Sequence, residues 1–158
     1  MLSSTLTTTT RNLSILSIPA YYVLSVLPHT YAVLLASRGQ PTKWDNRNPR
    51  SSSLKSRIQE NLGPDLYAKY ERAEAAHANG MENLPIFAAA MVVGNMARLK
   101  GLEKIAGTYL ALRAIYSVVY IQTSDNRFTL VRTGLWAASL GMCFDVFRRA
   151  AESATMLR

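Results

Sequence analysis

Between Arg11 and Arg38 the chain carries no charged residue, and Asn12 to Ser37 (NLSILSIPAYYVLSVLPHTYAVLLAS) is mainly apolar, interrupted by serines, Pro19, Pro28 and His29. About 20 mainly apolar residues in a helix cross a hydrocarbon core. Prolines are tolerated there when neighbours re-satisfy the freed carbonyls. A cleaved secretory signal is the rival reading, against which stand the Ser/Thr-rich start and the length of the run. Three further apolar segments follow. Leu84 to Ala97 is charge-free but short, and it spans only if its helix begins upstream, around Glu71 to Glu82. Leu102 to Thr123 has Arg113 at its middle, and Phe128 to Phe147 carries Arg132 near one end and Asp145 near the other. Gly94, Ala97, Gly107, Ala111, Gly134, Ala137, Ala138 and Gly141 suit close helix contact in lipid. The pattern predicts an all-α fold, an integral membrane four-helix bundle forming one domain over 1–158, with spans 13–36, 73–97, 102–123 and 128–148.

The segment Arg38 to Glu60 has the turn chemistry of a loop, with Gly39, Pro41, Asn46, Asn48, Pro49 and a serine run. It also holds Arg38, Lys43, Arg47, Arg50, Lys55 and Arg57, which makes 38–60 a basic loop and, by the positive-inside rule, a cytosolic one. This changes the meaning of the composition. With 18 Lys+Arg against 10 Asp+Glu the formal charge is +8, which alone suggests a nucleic-acid partner. The basic residues instead flank apolar spans and form no helical stripe, so no nucleic-acid partner is expected. The hydrophobic share of 49% excludes disorder. The single Cys143 excludes an intramolecular disulfide, and no Cys/His pattern has zinc-site spacing, so no metal is expected.

Ionisable residues inside membrane helices are costly and functional by default. At about 100° per residue, Arg72 and Asn79, seven apart, share one face, and Glu82 follows three residues on. A guanidinium, an amide and a carboxylate thus point one way, with His77 well off that face and Pro85 expected to kink the helix. A solvated helix entrance whose Glu and Arg side chains pair with one another remains an alternative on spacing alone. On the third helix Tyr109, Arg113, Tyr116 and Tyr120 form a stripe; for Tyr109 and Tyr116 packing is the favoured role. Arg113 needs a carboxylate in lipid, and Glu82 is the obvious candidate. Arg132 and Thr133 open the fourth helix near the level of Tyr120, where Arg132 is either a snorkelling interfacial arginine or a ligand contact.

Glu71-Arg72, His77, Asn79, Glu82 and Pro85 on the second span, Arg113 and Tyr120 on the third and Arg132-Thr133 on the fourth resemble the MAPEG family, the membrane-associated proteins of eicosanoid and glutathione metabolism. The resemblance implies a homotrimer of four-helix subunits in an internal membrane, usually the endoplasmic reticulum, with glutathione as cosubstrate between subunits near the cytosolic side. It implies that Arg72, Asn79 and Glu82 hold the charged ends and peptide groups of glutathione, joined by Arg113 and Tyr120. Arg132 matches the arginine that stabilises the thiolate, and Thr133 a hydroxyl beside it. A lipophilic electrophile, or a lipid, would enter from the bilayer. Ala75 and Ala78 stand where catalytic relatives often carry arginine, and Trp136 where some carry tyrosine. The function expected is a glutathione-dependent transferase or peroxidase. The alternative is a non-catalytic lipid-binding or partner-binding protein of the same fold.

Overall fold

The computed structural model describes residues 11–44, 47–49, 51–125 and 129–155. Asp45, Asn46 and Arg50 of the basic loop, and Phe128 where the fourth span is expected to open, lie outside them. The described residues form five helices, α1 Leu13–Ala36, α2 Ser52–Leu62, α3 Pro64–Met96, α4 Leu102–Gln122 and α5 Thr129–Thr155, with a 3-10 turn at Pro41–Lys43 and no strand.

α1 begins where Asn12 caps it, its side chain accepting from the Ile15 N–H at 3.0 Å, and it runs unbroken through Pro19 and Pro28. Its buried stripe is Ser14, Ser17, Tyr21, Ser25, Pro28 and Ala32, whereas Leu13, Leu16, Val23 and Leu27 are exposed. A helix in water shows the reverse order. The buried serine hydroxyls are satisfied locally, Ser17 donating to the Ser14 carbonyl at 2.6 Å and Ser25 to the Tyr21 carbonyl at 2.8 Å. Leu130, Val131 and Phe144 give α5 a similar apolar exterior. By length and composition α1 and α5 can cross a membrane. α3 and α4, which were expected to do so too, fall short of the same measure. Glu82, Asn83 and Asn95 interrupt the apolar part of α3, and Arg113 with several tyrosines interrupts α4.

The expected loop over 38–60 is corrected at its second half. Ser51 accepts from the Leu54 N–H at 3.2 Å and starts α2, whose Leu54 and Ile58, one turn apart, are buried beside Ala32, Tyr70 and Ala73. α3 opens directly after Gly63, which holds φ +73°, with Pro64 at its first position and Asp65 in its first turn. The helix therefore begins well before residue 73, the upstream extension that a spanning role for Leu84 to Ala97 requires, and it stays helical through Pro85. α5 likewise runs past 148 to Thr155. Arg148 bridges Asp145 and Glu152, both at 2.7 Å, along that last stretch, while Arg149 donates to the Lys100 carbonyl at 3.0 Å.

α1, α3 and α4 pack antiparallel in sequence. Asn12 meets Asn95 and His29 meets Glu74 across α1 and α3, and the Cα-side of Gly94 faces Leu102 across α3 and α4. The main core joins Tyr21, Phe87, Met91, Tyr109, Cys143 and Val146. Phe87 stacks on Tyr109 with centroids 4.1 Å apart, and Tyr21 stands edge-on to both at 5.3 and 5.0 Å. α3 approaches α1 closely at Gly80, where an added Cβ would lie 2.7 Å from Ser25 Oγ and 2.8 Å from Ser25 Cβ.

That approach yields a test of the packing. Gly80→Ala overpacks the contact and lowers stability by about 1–3 kcal/mol, and Ser25→Gly in the same chain restores much of the loss. Thermal unfolding of the detergent-solubilised variants measures both; a stable Gly80→Ala single variant contradicts the close α1–α3 approach.

Candidate functional site

α4 sets out the site. Spacings of four, three and four place Tyr109, Arg113, Tyr116 and Tyr120 on one face, and the structure buries the first three. Arg113 is 1% exposed. Its Nη2 donates to Asn79 Oδ1 at 2.6 Å, its guanidinium lies 4.4 Å from the Tyr116 ring centroid and 5.8 Å from that of Tyr21, and its Nε and Nη1 have no hydrogen-bond partner among the described residues. The expected pairing with Glu82 does not occur. Glu82 is exposed and lies off the buried stripe of α3, which runs through Ala76, Gly80, Asn83 and Phe87; the amide one turn earlier reaches Arg113 instead.

The pairing decides how Asn79 is turned. A guanidinium has donors only, so the atom facing it is the amide oxygen, and the Asn79 NH2 is left for other partners. Asn83, buried one turn on, donates to the Asn79 carbonyl at 2.8 Å and comes within 3.4 Å of the same Oδ1.

Beside this pair lies a cavity of about 240 Å³ lined by Asn79, Tyr116, Tyr120, Arg132, Thr133 and Trp136. Arg132, from the first turn of α5, stacks with its guanidinium 4.2 Å from the Tyr120 centroid, and Tyr120 stands edge-on to Tyr116 at 5.6 Å. Thr133 donates its hydroxyl proton to the Thr129 carbonyl at 3.0 Å, so toward the cavity its oxygen can only accept. No carboxylate is among the lining residues. The Arg132 guanidinium and the Asn79 amide NH2, flanked by the Tyr116, Tyr120 and Trp136 rings with the Arg113 guanidinium behind them, offer a place for a small anion.

Of the residues singled out in the sequence, Asn79, Arg113, Tyr120 and Arg132 come together here. Arg72 and Glu82 are not in the cavity wall. Arg72 instead donates from Nε to the Ile121 carbonyl at 2.9 Å. Tyr116 is in the wall although packing was its favoured role, and Tyr21 and Asn83 were not anticipated. Asn83 did carry a signal, an amide set in an apolar run. Tyr21 carried none, because an aromatic residue in a spanning segment has no distinctive spacing.

His77 faces the other side of α3, as its angular position requires. It meets the Ser25 carbonyl through Nδ1 at 2.8 Å, while His29 Nδ1 meets Glu74 Oε1 at 2.8 Å and the two imidazoles lie 5.2 Å apart. Tyr70 is buried at this end as well. Among the described residues, no group of three or more His, Cys, Asp or Glu side chains is placed to hold a metal ion.

A family model, that of the MAPEG family, matches residues 18–151, which covers all five helices except the first turn and a half of α1 and the last residues of α5. No curated protein and no solved structure matches the chain.

The Arg113–Asn79 pair gives the site its own test. Asn79→Leu leaves a buried guanidinium without its acceptor and destabilises the ligand-free protein by about 2–3 kcal/mol. Combining it with Arg113→Met removes the unpaired charge, so the double variant unfolds at a higher temperature than Asn79→Leu alone. A double variant less stable than both singles contradicts the pairing.

Proposed function

The chain belongs to the MAPEG family, and on that premise we propose that it is a membrane-bound glutathione-dependent transferase or peroxidase acting on lipophilic electrophiles. The observation that carries the reading is the cavity whose wall brings Arg132, stacked on Tyr120, together with the Asn79 amide and holds no carboxylate among the described residues. Glutathione, with two carboxylates and an ionisable thiol, matches that charge pattern. Arg113, behind Tyr116, supplies a second, buried cation toward the same anion. Glu82, exposed on α3, is free of the Arg113 pairing and is available to the ammonium or peptide N–H groups of the tripeptide.

The chemistry follows from the side chains. A free thiol ionises at a pKa of about 8.5, and a fixed guanidinium stabilises the anion, so more of the bound glutathione is thiolate at neutral pH. The thiol proton leaves to water. The thiolate sulfur then donates its electron pair to the electrophilic carbon, and the leaving group departs with the bonding pair. Arg132 is the group placed to stabilise charge on sulfur, and it is held by its stack on Tyr120 before the reaction begins. Trp136, Leu130 and Val131 are exposed beside it on α5, an apolar approach for a substrate arriving from lipid.

The same reading takes all four long helices, α1, α3, α4 and α5, as membrane spans, with α2 at the surface of the cytosolic face and the whole chain as one domain. The apolar exterior of α1 and α5 supports it. α3 and α4 would be sheltered from lipid by α1, α5 and neighbouring subunits of a homotrimer, in the endoplasmic reticulum. A second reading, a non-catalytic lipid-binding or partner-binding member of the family, is favoured by Ala75 and Ala78, which leave the α3 face poor in cations.

Conjugation of glutathione to an activated aryl halide separates the two. The wild-type protein in detergent turns over, and Arg132→Met lowers kcat by about a hundredfold or more, the scale of losing one charge-stabilising donor. It also moves the rise of kcat with pH to higher pH, because the bound thiol loses the cation that favoured its ionised form. A wild-type protein with neither turnover nor glutathione binding sinks the enzyme reading and leaves the lipid-binding one.

A further inference from the structure

We infer that Arg72 is a positioning residue rather than a ligand contact: it closes the C-terminal end of α4 and so fixes the Tyr120–Arg132 stack. The inference rests on the glutathione reading above and assigns Arg72 a different part in it from the one that the family resemblance implies.

The helix register supports this. α3 and α4 run antiparallel, and Gly94 faces Leu102, Asn79 reaches Arg113 and Arg72 reaches Ile121. From Asn79–Arg113 to Arg72–Ile121, seven residues down α3 correspond to eight up α4, and Gly94–Leu102 lies further along in the same order, so the three contacts follow one antiparallel helix pair. Arg72 and Asn79 do share a face, and that face looks at α4. Asn79 meets α4 at mid-helix, where the cavity lies, while Arg72 meets its last turn.

The last four carbonyls of a helix lack intrahelical partners and carry the negative end of its dipole. The Ile121 carbonyl is one of them, and the half-buried Arg72 supplies both a donor, at 2.9 Å, and a positive charge. The same turn is held a second way, because the Ile121 side chain packs on the cluster of Tyr70 and Ala73, the residue next to Arg72. Tyr120 is bonded directly to Ile121 and carries the ring on which Arg132 stacks at 4.2 Å. Fraying of this turn would move the ring, and Arg132 would lose the surface that orients it. Arg72 itself stays outside the cavity wall.

The test uses the full-length protein in detergent with Arg72→Met and Arg72→Lys. In the ligand-free protein, hydrogen–deuterium exchange at the amides of residues 119–123 speeds up several-fold in Arg72→Met and returns close to wild type in Arg72→Lys, which keeps a donor and a charge. With glutathione bound, the ultraviolet thiolate band titrates at higher pH in Arg72→Met, as it does in Tyr120→Leu, and the double variant is no worse than Tyr120→Leu alone. Unchanged exchange in Arg72→Met overturns the inference. So does a loss of glutathione affinity in Arg72→Met with the thiolate titration unmoved, which is the signature of a direct contact. If the wild-type protein binds no glutathione, the functional reading fails, and the exchange measurement still decides whether Arg72 holds the end of α4.

Discussion

The arrangement of the site depends on a buried guanidinium that meets no carboxylate among the described residues. Among them Arg113 has one acceptor, the Asn79 oxygen, and two aromatic faces around it. A charge in such a place costs several kcal/mol unless it is paired. An amide oxygen and π-faces offset part of that cost but carry no formal charge. On the proposed reading, that deficit is what would favour an anion in the neighbouring cavity. It also fixes Asn79, whose oxygen is committed inward and whose NH2 is therefore free to serve a ligand.

Everything around the pair keeps it in register. Gly80, one residue from Asn79, lets α3 approach α1 so closely that a Cβ has no room. The Phe87–Tyr109 stack and the edge-on Tyr21 close the apolar side, and Asn83 steadies the amide from the next turn. Arg132, on α5, is held by the ring of Tyr120, which stands edge-on to the Tyr116 ring beside Arg113, so the two cations are placed by one pair of neighbouring rings on α4. The apolar exterior of α1 and α5, with serines turned inward, is the counterpart of this polar interior. It suits a chain whose solvent on the outside is lipid.

Most of the helical layout was legible because uncharged runs and turn residues are strong local signals. α1 was delimited by its missing charges, and α4 by the apolar run from Leu102 to Thr123. α2 was hidden by the serines of its first turn, which read as a loop until Ser51 is seen as a cap and Leu54 and Ile58 as one buried side. The stripe on α4 was visible from spacing alone. The partner of Arg113 was not, since charge complementarity pointed to Glu82 and only the tertiary packing shows that the nearer side chain is an amide. Arg72 illustrates the same limit, as angular position places it on a face correctly but does not say which end of the facing helix it will meet.

The central claim, that the cavity beside Arg113 and Arg132 is built for an anionic thiol peptide, is tested most directly by calorimetric titration of the detergent-solubilised protein. Glutathione and its dimethyl ester, which keeps only the ammonium charge, would be compared under the same conditions. The account predicts that glutathione binds and that the ester, with both carboxylates masked, binds far more weakly or not at all. Equal affinity for the two, or affinity for neither, would contradict it.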